Sequence, residues 1–186
     1  MASLPDIPVP ESVDSTKGKE LEQKFGILLS ARQAPIDFAA WTGPDESGLP
    51  VAVLFIDIDE FKALNARHSE TIVDETVLPE FQRLLKQAVR RRGCAYRQGG
   101  EEFLIILPNH TREEGVAFAE RLRAEIENTL FAARKLDARI TVSLGVAAFP
   151  SDGQSFSEVV QAANDSEHLA KDGGRNRVIA YAQRAS

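Results

Sequence analysis

Val51–Asp57 reads VAVLFID: six apolar residues, half of them β-branched, closed by a carboxylate. A short continuous apolar run suits a strand buried on both faces. The carboxylate at its end is costly to bury without a partner. Toward the C-terminus, Glu60–Ala66 suits a short helix, and Phe81–Arg92 a longer one with Phe81, Leu84, Leu85 and Ala88 on one face. Pro79, just ahead of it, suits a first helical turn. Ala95–Arg97 and Phe103–Leu107 flank Gly99 and Gly100 and predict a hairpin. Arg112–Leu130 predicts an amphipathic helix and Arg139–Phe149 a strand. Ser155–Lys171 predicts a helix stopped by Gly173 and Gly174, and Arg177–Ala182 a last strand. The order β-α-α-β-β-α-β-α-β over 51–182 predicts an α+β, ferredoxin-like pattern, with helices mainly on one face of a mostly antiparallel sheet.

Toward the N-terminus, Leu21, Phe25, Leu28 and Leu29 recur at helical spacing and predict a helix over Lys19–Ala34 that Pro35 ends or bends. Trp41–Pro50 is turn chemistry. Residues 1–18 carry Pro5, Pro8 and Pro10 and predict a flexible tail. The chain thus divides into a tail (1–18), a helix and loop (19–50) and one domain (51–182).

The 186 residues are 43% hydrophobic, enough for a sizeable core, and carry a net charge of −6. The acidic balance argues against nucleic acid or an anionic membrane as a partner. A single cysteine, Cys94, excludes an internal disulfide and a cysteine zinc cage. The longest apolar run, Val51–Ile56, is far short of the ~20 residues that span a bilayer. No secretory pattern opens the chain. A cytoplasmic protein is expected.

Three places carry residues suited to chemistry. Asp57 and Asp59 are two apart and can share a face; clustered with a main-chain carbonyl, such carboxylates suit a hard cation such as Mg²⁺. The alternative is that Asp59 caps the next helix. Gly99-Gly100-Glu101-Glu102 allows a tight turn and close approach of a ligand, or is an ordinary solvated turn. Lys171 and Arg175, four apart around a helix end, can address one phosphate, or Lys171 merely complements the helix dipole. Together, in this order, acidic ligands and spaced cations describe a nucleoside triphosphate site.

DIDEFKALN, YRQGGEEFLIILP, ITVSLGVAAFP and AKDGGRNRV resemble, in order and spacing, the diguanylate cyclase (GGDEF-domain) family, with GGEEF as the signature variant. The resemblance covers about Val51–Tyr181 and implies the fold of the palm-type nucleotidyl cyclases. It implies condensation of two GTP molecules into cyclic di-GMP with release of pyrophosphate, a nucleotidyltransferase reaction used in signalling. By position, Asp57, the carbonyl of Ile58 and Glu101 would bind Mg²⁺, with Mn²⁺ as a substitute, and Asp57 and Glu101 would be catalytic. Backbone N–H groups of Glu60, Phe61 and Lys62 would cradle phosphates, and Lys62, Lys171 and Arg175 would neutralise them. Asn65 and Asp74 match the guanine-reading pair, and Gly99 and Gly100 leave room for ribose and phosphates. A product with two phosphodiester bonds implies a homodimer. The helix expected at Lys19–Ala34 is a candidate dimerising element or a lid on its own domain, and regulation would come from the N-terminal arm or a separate regulatory protein.

The chain also departs from the family. The usual N-D-x-x-G-H-x-x-G-D keeps only its ends, Asn65 and Asp74; Ala66, Ser69, Glu70 and Val73 replace the inner Asp, both glycines and the His. His68 is two positions early and reads as a surface residue. Asn164 and His168 replace an Asp and a Tyr that usually support the fold. The product-inhibition motif R-x-x-D keeps Arg90 but has Gly93 in place of the Asp, so feedback by that route is expected to be weak or absent. The competing readings are a non-catalytic module binding GTP or a cyclic dinucleotide, and a palm-type cyclase with another base preference.

Overall fold

The computed structural model describes residues 18–43, 49–133 and 136–182. The Pro-rich tail up to residue 17 and half of the turn-rich stretch Trp41–Pro50 (44–48) lie outside the described residues.

The central strand is β2 (Val51–Ile58), and all eight of its residues are buried. Alternation divides them: Val51, Val53 and Phe55 enter one apolar cluster, and Ala52, Leu54, Ile56 and Ile58 another. Two covered faces explain why the run is continuous. On one face pack α4 (Val77–Ala88), through Phe81 and Leu85, and α5 (Arg112–Asn128), through Phe118, Leu122 and Ile126. On the other pack α1 (Gln33–Trp41), through Ala34, Phe38 and Trp41, and α6 (Phe156–Asp172), through Val159, Ala162 and Ala163. The helices therefore cover both faces, against the expectation that they lie mainly on one. Periodicity reveals which side of a helix is apolar, not which side of the sheet it meets.

The six-stranded sheet runs β1-β3-β4-β2-β7-β8. Its strands are β1 (Leu29–Ser30), β3 (Cys94–Gly99), β4 (Glu102–Pro108), β7 (Val142–Phe149) and β8 (Val178–Ala180), around β2. β2 is antiparallel to β4 and β7, and β3 to β4; the outer β1–β3 and β7–β8 pairs are parallel. The β3–β4 hairpin is the one expected from Gly99 and Gly100. A short β5–β6 ribbon (Phe131–Ala133, Leu136–Ala138), which pattern reading missed, joins α5 to β7. Between β2 and α4 lie α2 (Phe61–His68) and α3 (Glu70–Glu75). Pro79 is indeed in the first turn of α4, which starts earlier than expected.

The expected helix at Lys19–Ala34 is not formed. Residues 19–28 are irregular, Leu29–Ser30 pair with β3, and the helix begins only at Gln33. The reason is local. The Glu22 carboxylate accepts the backbone N–H groups of Lys24, Phe25 and Gly26 at 2.7–3.0 Å, which offers this backbone an alternative to helix. Gly26 adopts a left-handed φ of 64°. Pro35 neither ends nor bends the helix that does form. It is the third residue of α1, where its missing N–H has no intrahelical acceptor to lose.

Gly145 of β7 lets α6 settle directly onto the sheet. A Cβ there would lie 1.9 Å from the carbonyl oxygen of Ala163 and 2.3 Å from the nitrogen of Glu167. This contact sets the height of α6, and with it the position of Lys171, over the end of β2.

Candidate active site

Asp57 is the last odd-numbered residue of β2, so its side chain is on the α6 face. It is paired in register with Glu102 on one side and Ser143 on the other. The β3–β4 turn lies beside it: the Ile58 N–H donates to the Glu101 carbonyl at 3.3 Å. The turn is Gly100-Glu101, closed by Gly99 opposite Glu102, with a bulge between Arg97 and Gly99 and Gly100 at φ 39°. Asp57 and Glu101 are thus brought to the same end of the sheet. From α6, Lys171 reaches down to place its Nζ 2.8 Å from Asp57 Oδ2.

Lys171 is shared. Its Nζ is also 3.1 Å from Oε1 of Glu167, one turn earlier on α6. Glu167 is fully buried, and neither of its oxygens receives a hydrogen bond of acceptable angle, although His168 Nδ1 lies 3.0 Å from Oε2. Burial pushes the Asp57 carboxyl up to about 6; Lys171 opposes this, and the negative charges of Glu167 and Glu101 add to it. Burial alone would push the Lys171 ammonium down, but its contacts with Asp57 and Glu167 outweigh that and hold it above the usual lysine range. The two partners differ because Lys171 faces two carboxylates, whereas Asp57 faces one cation and two anions.

Asp59 does not join this group. Its Oδ1 accepts from Ser143 Oγ at 2.7 Å, and its Oδ2 from Thr141 Oγ1 at 2.7 Å and the Asn176 N–H at 3.0 Å. Both oxygens are used in tying β2 to the start of β7 and to the turn after α6. Nor does it cap α2: the residue before that helix is Glu60, in the left-handed conformation at φ 53°. Asp57 and Asp59 therefore part company where β2 ends, because alternation stops with the strand.

The first turn of α2 leaves N–H groups without intrahelical acceptors next to this corner. Phe61 packs into the core and Lys62 is exposed to solvent. Arg175 does not converge with Lys171 on Asp57. At φ 64° it lines a cavity of about 430 Å³ beside the start of α2, together with Glu60, Arg67 and Arg139.

Farther along, Asn65 buries its side-chain oxygen without a partner. Asp74 has one: Lys24 Nζ, from the irregular N-terminal segment, lies 2.6 Å from its Oδ2. The glycine-poor stretch between them folds as the short helix α3. Its cap, Ser69, stands at φ 70°, a conformation that suits glycine better, and accepts the Ile72 N–H at 3.4 Å. His68 is half-buried at the end of α2.

Sequence reading missed Glu167, the clamp on Asp59 and the Lys24–Asp74 pair. Glu167 had a signal: a charged residue beside the stripe of small and apolar residues Val159-Ala163-Ser166-Ala170 of α6, four before a lysine. The other two join segments far apart in the chain.

The divalent cation expected here can be tested against the donors. Among the described residues no three His, Cys, Asp or Glu side chains form a ready-made cage. Asp57 and Glu101 supply two carboxylates, and Mg²⁺ is commonly held by one or two carboxylates plus water and substrate phosphates. The donor set fits that mode.

The diguanylate cyclase GGDEF-domain model matches residues 39–177. The chain belongs to the GGDEF family. It is 34% identical over 153 residues to "Diguanylate cyclase DosC" of Escherichia coli, covering 81% of this chain and 33% of that protein. The chain thus spans about a third of the length of the curated relatives it matches. The active GGEEF domain of a diguanylate cyclase from Vibrio cholerae superposes with a TM-score of 0.76 at 28% identity, covering 84% of this chain and 99% of that one. The GGDEF domain of DgcB from Caulobacter crescentus, in complex with c-di-GMP, gives 0.76 at 26% identity, covering 87% and 92%. The α+β architecture expected from the sequence is that of these domains. Among the described residues no helix is long and apolar enough to cross a membrane.

Proposed function

We propose that this GGDEF domain is an active diguanylate cyclase that joins two GTP molecules into cyclic di-GMP and releases pyrophosphate. The observation that carries the reading is the corner where Asp57 on β2, Glu101 in the hairpin turn and Lys171 on α6 meet. Three separate elements converge two acids and a cation there, at the cost of burying charge.

In this reading Asp57, Glu101 and the Ile58 carbonyl hold Mg²⁺ or Mn²⁺. A divalent cation bound there supplies acidity to the attacking 3′-hydroxyl and offsets charge on the leaving oxygens. Glu101 helps to take the hydroxyl proton. The first N–H groups of α2, at Glu60, Phe61 and Lys62, face the phosphates, which Lys62, Lys171 and Arg175 neutralise. Gly99 and Gly100, with open space where a Cβ would stand, leave room for ribose and phosphate. Asn65 and Asp74 read guanine: a carboxylate acceptor suits its N1–H and 2-amino donors. Residues 51–182 carry this machinery. Two copies face each other, since one domain holds one GTP.

The test is incubation with all four nucleoside triphosphates and Mg²⁺, with products identified by chromatography. Cyclic di-GMP is expected. Tight GTP binding without product would make the chain a binding module. A second reading, a cyclase with another base preference, draws support from Lys24 seated on Asp74 and from Ser69 in a glycine-type conformation. A mixed or adenine-containing product would favour it.

Feedback through Arg90 is proposed to be weak. Gly93 is locked against β4, where a Cβ would lie 2.0 Å from the Ile106 carbonyl oxygen, so no side chain fits there to complete the motif. Inhibition by micromolar cyclic di-GMP that disappears in Arg90→Ala would overturn this.

A further inference from the structure

Glu167 has no part in the function proposed above, yet it is the most completely buried charged side chain at the site. A carboxylate sealed from water needs a cation or several hydrogen bonds. Glu167 has no hydrogen bond of acceptable angle. Its ion-pair contacts are the Lys171 ammonium at 3.1 Å and the ring of His168, which faces solvent. Lys171, in turn, is 2.8 Å from Asp57 on β2. The three groups form a relay, acid–cation–acid, with the cation in the middle.

The two acids hold the cation in different ways. Glu167 and Lys171 share α6 at the i, i+4 spacing, in the favourable order, so their separation is set by the helix itself. Asp57 is on another element and is also a proposed metal ligand. A metal ion that takes Oδ2 of Asp57 displaces the ammonium that is seated on it. Were Asp57 the sole partner of Lys171, the metal would compete with a tight ion pair for its own ligand. With Glu167 beside it, the ammonium has somewhere to go. Losing Asp57 then leaves neither Lys171 nor Glu167 unpaired.

We propose that Glu167 is a positioning residue that draws the Lys171 ammonium off Asp57 when a metal ion arrives, and so sets how much Mg²⁺ this domain needs. The inference rests on the proposed roles of Asp57 and Lys171 in holding metal and phosphate. Glu167 touches neither substrate nor metal; it acts through Lys171.

The experiment measures binding of 3′-deoxy-GTP, which lacks the attacking hydroxyl, at stepped Mg²⁺ concentrations. Full-length wild type, Glu167→Leu and Glu167→Gln are compared, with thermal melting of each. The half-saturating Mg²⁺ is expected to rise by about tenfold in Glu167→Leu, the scale of an outer partner of a metal ligand. Its melting temperature should be unchanged or higher, because an apolar side chain replaces a poorly satisfied buried charge. A residue serving only the fold would move these two readouts together. Glu167→Gln, of nearly the same shape, should show the same shift in Mg²⁺. In a Lys171→Ala background, Glu167→Leu should have no further effect.

An unchanged Mg²⁺ requirement in both folded variants overturns the inference while leaving the proposed activity standing. A Glu167→Leu effect that persists without Lys171 overturns the relay. Failure of the wild type to bind 3′-deoxy-GTP at any Mg²⁺ concentration sinks the functional reading and the inference with it.

Discussion

The two ends of the candidate nucleotide site are built differently. At one end Asp57 lies nine-tenths or more out of solvent, between two hydrogen-bonded neighbour strands, with Lys171 and Glu167 above it. At the other, Asp74 is on a six-residue helix and is held by a half-exposed lysine from the N-terminal segment. The first end concentrates charge where burial makes it expensive, on rigid elements whose spacing is set by Gly145. The second uses short, partly solvated elements and has lost the family's glycines. On the proposed function, charge chemistry on phosphates and metal would call for the fixed corner, and base reading by edge contacts would tolerate the remodelled loop.

The comparison can be broken most sharply at the first end. Glu101→Gln is expected to lower turnover by at least ~100-fold, because it removes charge aimed at the reacting groups, while circular dichroism shows the fold intact. A near-normal rate would remove Glu101 from the chemistry. Asp57 tests the cost of that corner. Its folded carboxyl is raised to about 6 from an ordinary 3.8, so the charged form burdens the folded state above pH 6, and the burden fades as pH falls toward 4. Asp57→Asn should therefore be more stable than wild type at pH 7.5, by on the order of 3 kcal/mol, with the gap narrowing to roughly a third of that by pH 4.5 in urea unfolding. A gap that does not change with pH would show that Asp57 is not paying for its burial.

The second end predicts smaller effects. Asp74→Ser is expected to relax discrimination against ATP by about 1–3 kcal/mol, the scale of one lost base-edge contact. Unchanged selectivity would mean that the loop reads the base by other groups. Lys24→Ala frees Asp74 from a screened surface pair worth about 1 kcal/mol or less, so GTP affinity should rise by no more than about fivefold. A much larger gain would make the N-terminal segment a strong brake and blur the contrast between the ends.

Elements whose signals are local were legible. β2 declared itself by its apolar run, the β3–β4 hairpin by Gly99 and Gly100, and α6 by its stripe and its glycine stop. The segment 19–34 misled because Leu28 and Leu29 are indeed buried, but at the edge strand, in the clusters on opposite faces of the sheet, rather than on one side of a helix. Their helical spacing was a coincidence that Glu22 overrode by taking three backbone N–H groups. At the site, residue types were legible and pairings were not. Asp59 looked like a twin of Asp57 and turned out to be a clamp, since its partners Thr141, Ser143 and Asn176 come from more than 80 residues away.

What the chain alone determined is the main inventory from β2 onward: the principal strands and helices, their order, and which acids and bases stand at their ends, because periodicity, turn chemistry and motif spacing are properties of neighbouring residues. What only the tertiary structure decided is who meets whom: helices on both faces, Lys171 between Asp57 and Glu167, Arg175 turned to a different cavity, Lys24 on Asp74. Those choices depend on strand register and on how elements far apart in the chain pack; a Cβ at Gly145 alone would push α6, and Lys171 with it, off the sheet.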